Sequence, residues 1–540
     1  MKARIGGTLA VQIPYRGMSS RYPLAKMPPE FAPWIENFDI GAGILETPLG
    51  MKFKFTGVTN YVSCIAQDPS NKDQIVHLDI SGAAIKCKVY NIFTNTAGST
   101  YTAPHAATGS RAQAVGFNDN VYFFCQRGAP VIFTGSALNA VGFTGPTLAN
   151  LVGGAVYNSG LYCFEENSAS VWYSPSAGAV AGAFNEYDLK YITSDNGKVI
   201  IVTSFTLSSG LDSQVLWCVV MDTGEVLTFS GIRPDDTEWT QRGRAIIAAP
   251  VGYQSFIEAN GDVLIITKQG IVSLRELFTS AQGNLQAASI TYEIEKYWTQ
   301  LCQDIEAFNA PTSYDLVGGL LSFITGAYHQ IKNKLVIFCP RTLKPSTVAS
   351  GEFGYDLSAG SMALIYDFTT QSWVARTFSG IPEVATYQLT GAYYHPKSNS
   401  LLIGTNSPTD ESCWQMWGNT AYEDGTVAPA FEQVSINARI ISAPIALQDK
   451  LQLKGFKVLS AGHSSSKTSA AVKARADIGA RETGSASLTL ASGVSNDLYN
   501  VGVTSEFIQY DLSVSTNENA DRPYQLLNIS AIVEQGGVLG

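Results

Sequence analysis

The sequence predicts an all-β protein: a β-propeller of about seven blades, with an N-terminal extended arm and a C-terminal β-sandwich-like domain. Six or eight blades also fit the spacing. Three observations carry this. Only 15% of the 540 residues are charged, and 49 are glycine, a turn-rich composition unlike that of a helical bundle. Seven short apolar runs recur through the middle of the chain, each led in by turn residues. Past about residue 431 the pattern changes to alternating polar and apolar positions.

Residues 1–50 form the arm. "GMSSRYPLAKMPPEFAPWIENFDIGAGILETPLG" (17–50) is too polar for a signal peptide and too broken by proline for a long helix. A short helix is expected around "PPEFAPWIENF" (28–38), where proline suits the first turn. Met27, Phe31, Trp34 and Phe38 are candidate anchors on a partner, because large apolar side chains of this kind concentrate at interfaces. The competing reading is that they pack on their own propeller.

Residues 51–430 are read as the propeller. The runs are "DQIVHLDI", "NDNVYFFCQ", "NSGLYCFEE", "LDSQVLWCVV", "ANGDVLIITKQG", "IKNKLVIFCP" and "PKSNSLLIGT". Asn, Gly, Asp and Ser before each run tolerate positive φ or bond their own backbone, as hairpin turns require. Second hairpins follow at "MDTGEVLTF", "TKQGIVSLREL" and "IYDFTTQSWVARTF". The runs lie roughly 40–70 residues apart, which suits a four-stranded sheet per unit with insertions. Stacked radially, such sheets cover one another's apolar faces. A helical insertion is expected near 284–308. Ile294, Tyr297, Trp298, Leu301, Cys302 and Ile305 fall there at helical spacing.

Residues 431–540 hold six strand-like segments: "QVSINARIISAPI", "KLQLKGFKVLS", "AAVKARADI", "ASLTLAS", "FIQYDLSVST" and "LLNISAIVEQ". Period-two alternation, as in Tyr510, Leu512 and Val514, points to a β-sandwich.

The chemistry-bearing motifs are thin. The net charge is −10 and no Lys/Arg cluster of five or more occurs, so a DNA-gripping role is not expected. His77, His105, His329, His395 and His463 are scattered, and no metal or cofactor is expected. "GHSSSKTS" (462–469) lacks the glycine a phosphate loop needs before its lysine. Of the carboxylate pairs Glu165–Glu166, Asp235–Asp236 and Glu293/Glu295, the second reads as a solvated turn and the third as a helix face. "TSDNGKV" (193–199) only partly matches a sialidase turn. The chain is therefore not expected to be an enzyme. The eight cysteines sit in apolar runs and read as buried thiols. The uncharged stretch 128–164 is broken by turns and reads as sheet, so no membrane-spanning segment is expected.

The arm also carries a resemblance. Gly17, Arg21, Pro23, Met27-Pro28-Pro29, Ala32 and Asn37-Phe38 resemble the N-terminal signature of a family of short-tailed bacteriophage structural proteins. These are the tail hubs, tail nozzles and packaged-DNA stabilisation proteins. "EANGDVLIITKQGIVSL" (258–274) is similar to a blade of that family, and "LIYDFTTQSWVARTF" (364–378) to its Trp-bearing hairpin. Asn37-Phe38-Asp39 departs from the usual aromatic pair. The resemblance covers roughly residues 15–420. It implies a virion protein of the short tail, made in the host cytoplasm, that forms a ring, expected to be a homohexamer. Its implied neighbours are a portal or adaptor protein above and tail fibre, spike or needle proteins around or below. Double-stranded DNA would pass through without specific binding, and an acidic lumen would repel it. The alternatives are a glycan-binding or receptor-binding propeller module and a propeller glycoside hydrolase.

Overall fold

A computed structural model describes residues 6–41, 44–46, 52–53, 62–80, 84–107, 111–194, 196–208, 213–280, 285–308, 319–347, 353–358, 360–378, 389–405, 413–416, 436–446, 451–463, 468–476, 481–489, 493–504, 507–516 and 524–535.

Seven antiparallel sheets follow one another along the chain. Six have four strands and one has three. The first spans Cys64–Gln67 to Ala97–Thr102, the second Ala112–Phe117 to Leu138–Ala140, the third Leu151–Tyr157 to Asn185–Asp188 and the fourth Val199–Ser208 to Thr240–Ile246. The three-stranded fifth spans Phe256–Ala259 to Gly270–Ser273. The sixth orders Thr325–His329, Lys334–Cys339, Met362–Asp367 and Ser372–Thr377. The seventh joins Leu389–His395, Ser400–Thr405 and Cys413–Met416 to Lys52–Phe53 from the N-terminal side. That last pairing closes the ring, since one sheet takes strands from both ends of the propeller. The first strands of all seven sheets line one central channel.

Each of the seven apolar runs is the second strand of its sheet, from Gln74–Asp79 to Ser400–Thr405. The reason is burial on both faces. Asn120–Cys125, Asp262–Thr267 and Lys334–Cys339 are buried at nearly every position, and a strand covered on both sides reads as a continuous apolar run. The asparagines of the turns do what the sequence asks of them. Asn118, Asn158, Asn260, Asn333 and Asn399 all take positive φ, between 44° and 52°. All eight cysteines are free and buried.

The insertion is helical as expected, in two pieces. A short helix, Leu285–Ala288, precedes Glu295–Ala307. Tyr297, Trp298, Leu301, Cys302 and Ile305 form the buried face of the longer helix. Trp298 Nε1 donates to the Thr267 carbonyl of the fifth sheet at 2.9 Å. No helix among the described residues is long and apolar enough to cross a membrane.

The C-terminal segments form two sheets. One orders Gly493–Thr504, Leu451–His463 and Gln525–Gln535; the other holds Ile436–Ile441, Phe507–Thr516, Thr468–Ala476 and Arg481–Thr489. Phe456 of the first meets Tyr510 of the second, ring centroids 5.9 Å apart. All six predicted segments are strands. Gly493–Thr504 is a seventh that the sequence reading missed.

The arm corrects the expectation of a separate docking segment. No α-helix forms at 28–38; a 3-10 turn lies at Leu24–Lys26, and Trp34–Glu36 is a strand. Pro28, Pro29 and Pro33 remove three backbone donors, whereas a strand at Trp34–Glu36 gains partners on both sides. It runs parallel to Ser372–Thr377 of the sixth blade and antiparallel to Ile436–Ile441 of the C-terminal domain. Blade and sandwich thereby become one continuous ten-stranded sheet. The arm also supplies Gly6–Val11 and Leu45–Glu46 to the other sheet, against Gln525–Gln535.

Candidate functional site

The four arm anchors lie inside this chain. Met27, Phe31, Trp34 and Phe38 are 7%, 4%, 0% and 1% exposed. Met27 and Phe31 pack on Ala443 of the sandwich, and Trp34 and Phe38 belong to the main core. None is left to anchor on a neighbour. For Trp34 the physical reason is the splice: pairing on both edges sets its strand inside a sheet, and Tyr297 and Tyr355 pack on the indole.

The splice is held by polar bonds as well. Trp34 Nε1 donates to Glu36 at 3.0 Å, and the Thr377 hydroxyl donates to the other oxygen of that carboxylate. The Thr377 amide donates to Asn37 Oδ1 at 3.1 Å, while Asn37 Nδ2 donates to the Thr377 hydroxyl oxygen at 3.1 Å. Asn37 takes φ 55° to do this. Gly17 has φ 83°, and a Cβ there would stand 2.6 Å from the Trp373 carbonyl oxygen. Met18 N donates to that same carbonyl at 2.8 Å. The arm signature and the Trp373 hairpin, some 340 residues apart in sequence, are thus one structural unit.

The channel has a volume of about 940 Å³. Its charged lining residues are Glu258 and Asp262, both from the fifth blade. Asp262 is spent locally. It accepts from the Ser273 hydroxyl at 2.5 Å and from the Arg275 and Val263 amides at 2.9 and 2.7 Å. Glu258 points into the channel, and desolvation by the surrounding walls raises its pKa. The described lining therefore does not set two carboxylates across the channel from one another, the arrangement glycoside hydrolysis uses. Gln113 clamps the second blade to the third, donating to the Gly154 carbonyl at 2.8 Å and accepting from its amide at 3.1 Å.

One bond crosses the ring at the end where the first strands begin. Arg111, at the start of the second blade, donates through Nη1 to the Ser322 carbonyl, on the turn before the sixth. Those two blades stand nearly opposite in a ring of seven, so this bond crosses the axis. The other end is rimmed by hairpin turns. Asn260 Nδ2 donates to the Tyr328 hydroxyl oxygen at 2.6 Å, and Tyr328 donates to Asn333 Oδ1 at 2.7 Å. His329 Nε2 bonds the Asn399 carbonyl at 3.2 Å, and His395 Nε2 the Lys72 carbonyl at 3.0 Å. Each histidine ties its blade to the next. Nothing in the sequence singled out Arg111 or Glu258, since a lone charge at the edge of a strand reads as a solvated end.

Of the other residues weighed in sequence, Asp235 pairs with Arg233 at 3.5 Å in a surface turn. Glu293 accepts from Ser19 at 3.2 Å and pairs with Arg21 at 3.5 Å, which ties the arm to the helical insertion. His105 bonds the Ala129 carbonyl at 2.9 Å. Residues 464–467 of the "GHSSSKTS" stretch lie outside the described residues. No cluster of three or more metal-ligating side chains occurs among the described residues.

No family model matches the chain, and no curated protein matches it. Solved structures do resemble it. The Cps50 (Swd1) β-propeller domain of Myceliophteria thermophila aligns over 68% of this chain and 100% of its own, at 10% identity and a TM-score of 0.40. Raptor of Chaetomium thermophilum aligns over 68% of this chain and 29% of its own, at 10% identity and a TM-score of 0.37. The propeller rests on the strand pairing described above, and likenesses at this identity and score add nothing about function.

Proposed function

We propose that this chain is a structural subunit of a short phage tail, a ring-forming hub or nozzle protein that extends the portal channel, retains packaged DNA and conducts it during ejection. The reading rests on the resemblance of the arm and of the Trp373 hairpin. The observation that supports it best is the meeting of these two segments, through Gly17, Asn37, Trp373 and Thr377. In this reading the two segments act as one unit.

The mechanics are compatible. A ring subunit needs a stiff wedge, and the strand Trp34–Glu36 welds propeller to sandwich. Duplex DNA cannot use the axial channel of a single chain, because the Arg111 side chain crosses the ring to Ser322. The conduit would lie between copies, read as six, with a portal or adaptor protein above and fibre, spike or needle proteins around or below. With an excess of ten acidic charges, the lumen would repel phosphate and let DNA slide. The subunit performs no catalysis in this reading.

Electron microscopy of the purified protein and of its parent particle tests this. Six-fold rings are expected, with this polypeptide present in purified particles by mass spectrometry. Its absence from particles rules the reading out. A map in which Lys and Arg line the lumen rules out the repulsive conduit. The second reading, a propeller module that binds a glycan or receptor, is favoured by the channel's open rim. A monomer that binds a sugar array through that rim would replace the tail reading.

A further inference from the structure

We propose that the axial channel binds a small aliphatic amine, its primary ammonium received by Glu258 of the fifth blade together with the hydroxyls of Ser204 and Thr206 of the fourth. All three residues line the channel. Period-two alternation sets their faces. Ile257 and Ala259 point into the main core, so Phe256 and Glu258 share the opposite face. Phe256 packs on the cluster that holds Phe205, which puts Glu258 on the fourth-blade side of its strand. Phe205 is buried in that cluster, so Ser204 and Thr206 on either side of it face the channel. Thr206 N donates to the Gly261 carbonyl at 2.8 Å. Counting back from that bond along both strands brings Ser204 near the level of Glu258. One carboxylate and two hydroxyls thus share a corner of the channel.

The charge of that corner is unmatched. Among the described residues nothing bonds the Glu258 carboxylate or the two hydroxyls, and the lining holds no Lys, Arg or His. Arg275 Nη2 donates to the Asn260 carbonyl at 2.6 Å and is not part of the lining. Asp235, by contrast, has Arg233 beside it, and Asp511 has Arg439. Carboxylates on the convex surface face bulk water, whereas the channel walls desolvate Glu258 and no neighbouring cation offsets the effect. Asp262 has its oxygens taken by local donors, yet its charge adds to the same field. A cleft lined by one sign of charge concentrates the opposite ion.

The acceptors present select an ammonium over a metal ion. A calcium site takes six to eight oxygens, usually with several carboxylates, and no group of three metal-ligating side chains occurs among the described residues. A primary ammonium has three donors, which one carboxylate and two hydroxyl oxygens satisfy. Much of the remaining wall is small and apolar, with Ala114, Ala155, Ala327 and Ala392 on the first strands of four blades, and it suits an alkyl chain. The channel, about 940 Å³, has room for such a ligand. Access needs no movement. Glu258 is solvent-exposed and stands two residues before Asn260 of the rim turn, so the ligand enters from the rim.

The test is calorimetric titration of the full-length chain with butylamine, butanol and calcium chloride, each alone. Saturable binding of butylamine is expected, with butanol at least about tenfold weaker, the discrimination a charge-assisted bond provides. Glu258→Gln keeps the shape without the charge and should lose about tenfold in butylamine affinity. Thr206→Val should lose several-fold. On the wild type itself, raising sodium chloride from about 0.05 to about 0.5 M should weaken butylamine several-fold, a readout that no variant's folding affects. No saturable binding of butylamine overturns the proposal. So does butanol binding as tightly, calcium binding more tightly than the amine, a Glu258→Gln protein that binds as the wild type does, or an affinity indifferent to salt. The site is independent of the tail reading: a chain that forms no rings should still bind.

Discussion

The propeller and the arm-plus-sandwich are both antiparallel sheet, yet they are built from contacts of opposite range. In the second blade, Ala112–Phe117, Asn120–Cys125, Val131–Phe133 and Leu138–Ala140 pair in sequence order through tight turns. In the sandwich, Gly6–Val11 pairs with residues 529–534, and Trp34–Glu36 with residues 439–441. A blade can assemble from its own neighbourhood. The sandwich cannot be completed until the two ends of the chain meet, which carries a larger loop-closure cost. The difference teaches that the join between propeller and sandwich depends on a few residues of the arm.

The largest expected effect follows from that. Trp34→Ala removes a fully buried indole that lies against Tyr297 and Tyr355, at 5.8 and 6.2 Å between ring centroids. Such truncations cost about 3–5 kcal/mol. Trp217→Ala, between the third and fourth blades, should cost a similar amount. The two should differ in reach. Hydrogen exchange should show Trp34→Ala loosening Ser372–Thr377 and Ile436–Ile441 together, because one strand bonds both. Trp217→Ala should loosen only its own two blades. A local response to Trp34→Ala would break the comparison.

Acid should separate the regions next. His77 is buried in the first blade, where burial first and Lys88 second lower its pKa to about 3. In the sixth blade, burial lowers His329 to about 4. Each folded value lies below the unfolded one of 6.5, so the unfolded chain takes up protons the folded chain refuses. The stability contributed is complete above about pH 6.5 and is lost as the pH falls toward 3–4. For His77 alone the loss at pH 4 is about 3 kcal/mol. The C-terminal segments carry one histidine, His463, at the end of the strand Leu451–His463. The blades should therefore lose protection before the sandwich on acidification, and His77→Phe should flatten the early part of that response. A sandwich that opens first would contradict it.

Within the sandwich, Asp511 is 2% exposed and holds Arg439 by both oxygens. Arg439 is partly exposed, which discounts the pair. Asp511→Asn should cost about 2 kcal/mol in urea unfolding, and the change should register in the sandwich without reaching the first blades.

These contrasts also explain what was legible beforehand. The seven second strands could be read because burial on both faces leaves a continuous apolar mark, and asparagine announces the turns. Cys302 and Ile305 betrayed the helix by spacing. The fate of Trp34 was not legible. An apolar side chain beside prolines reads alike whether it anchors a neighbour or fills its own core, and only the partner strand, some 400 residues away, decides. Gly493–Thr504 was missed because Ser495, Asn496, Asp497 and Asn500 look like loop. Arg111 was invisible because its meaning lies across the channel, at Ser322.

The smallest effect tests the blade-to-blade ties. Asn158 turns the third blade's first hairpin at φ 44°, and its Nδ2 donates to the Gly231 carbonyl of the fourth at 2.8 Å. Asn118 does the same one blade earlier, at φ 52°, with 2.9 Å to the Gly178 carbonyl. Each asparagine thus serves as a backbone corner and as a cross-blade donor. Asn158→Ala disturbs both, and about 1–2 kcal/mol is expected from the left-handed backbone alone. Asn158→Gly restores the corner and loses only the bond, which is solvent-exposed and worth about 0.5–1 kcal/mol. If the glycine variant unfolds at the same urea concentration as the wild type, the asparagine is a turn residue only. The blades are then held by their apolar faces without help from the rim. If it unfolds earlier by the expected margin, the repeated asparagine is a stitch, and the propeller is sewn locally where the sandwich is sewn by its arm.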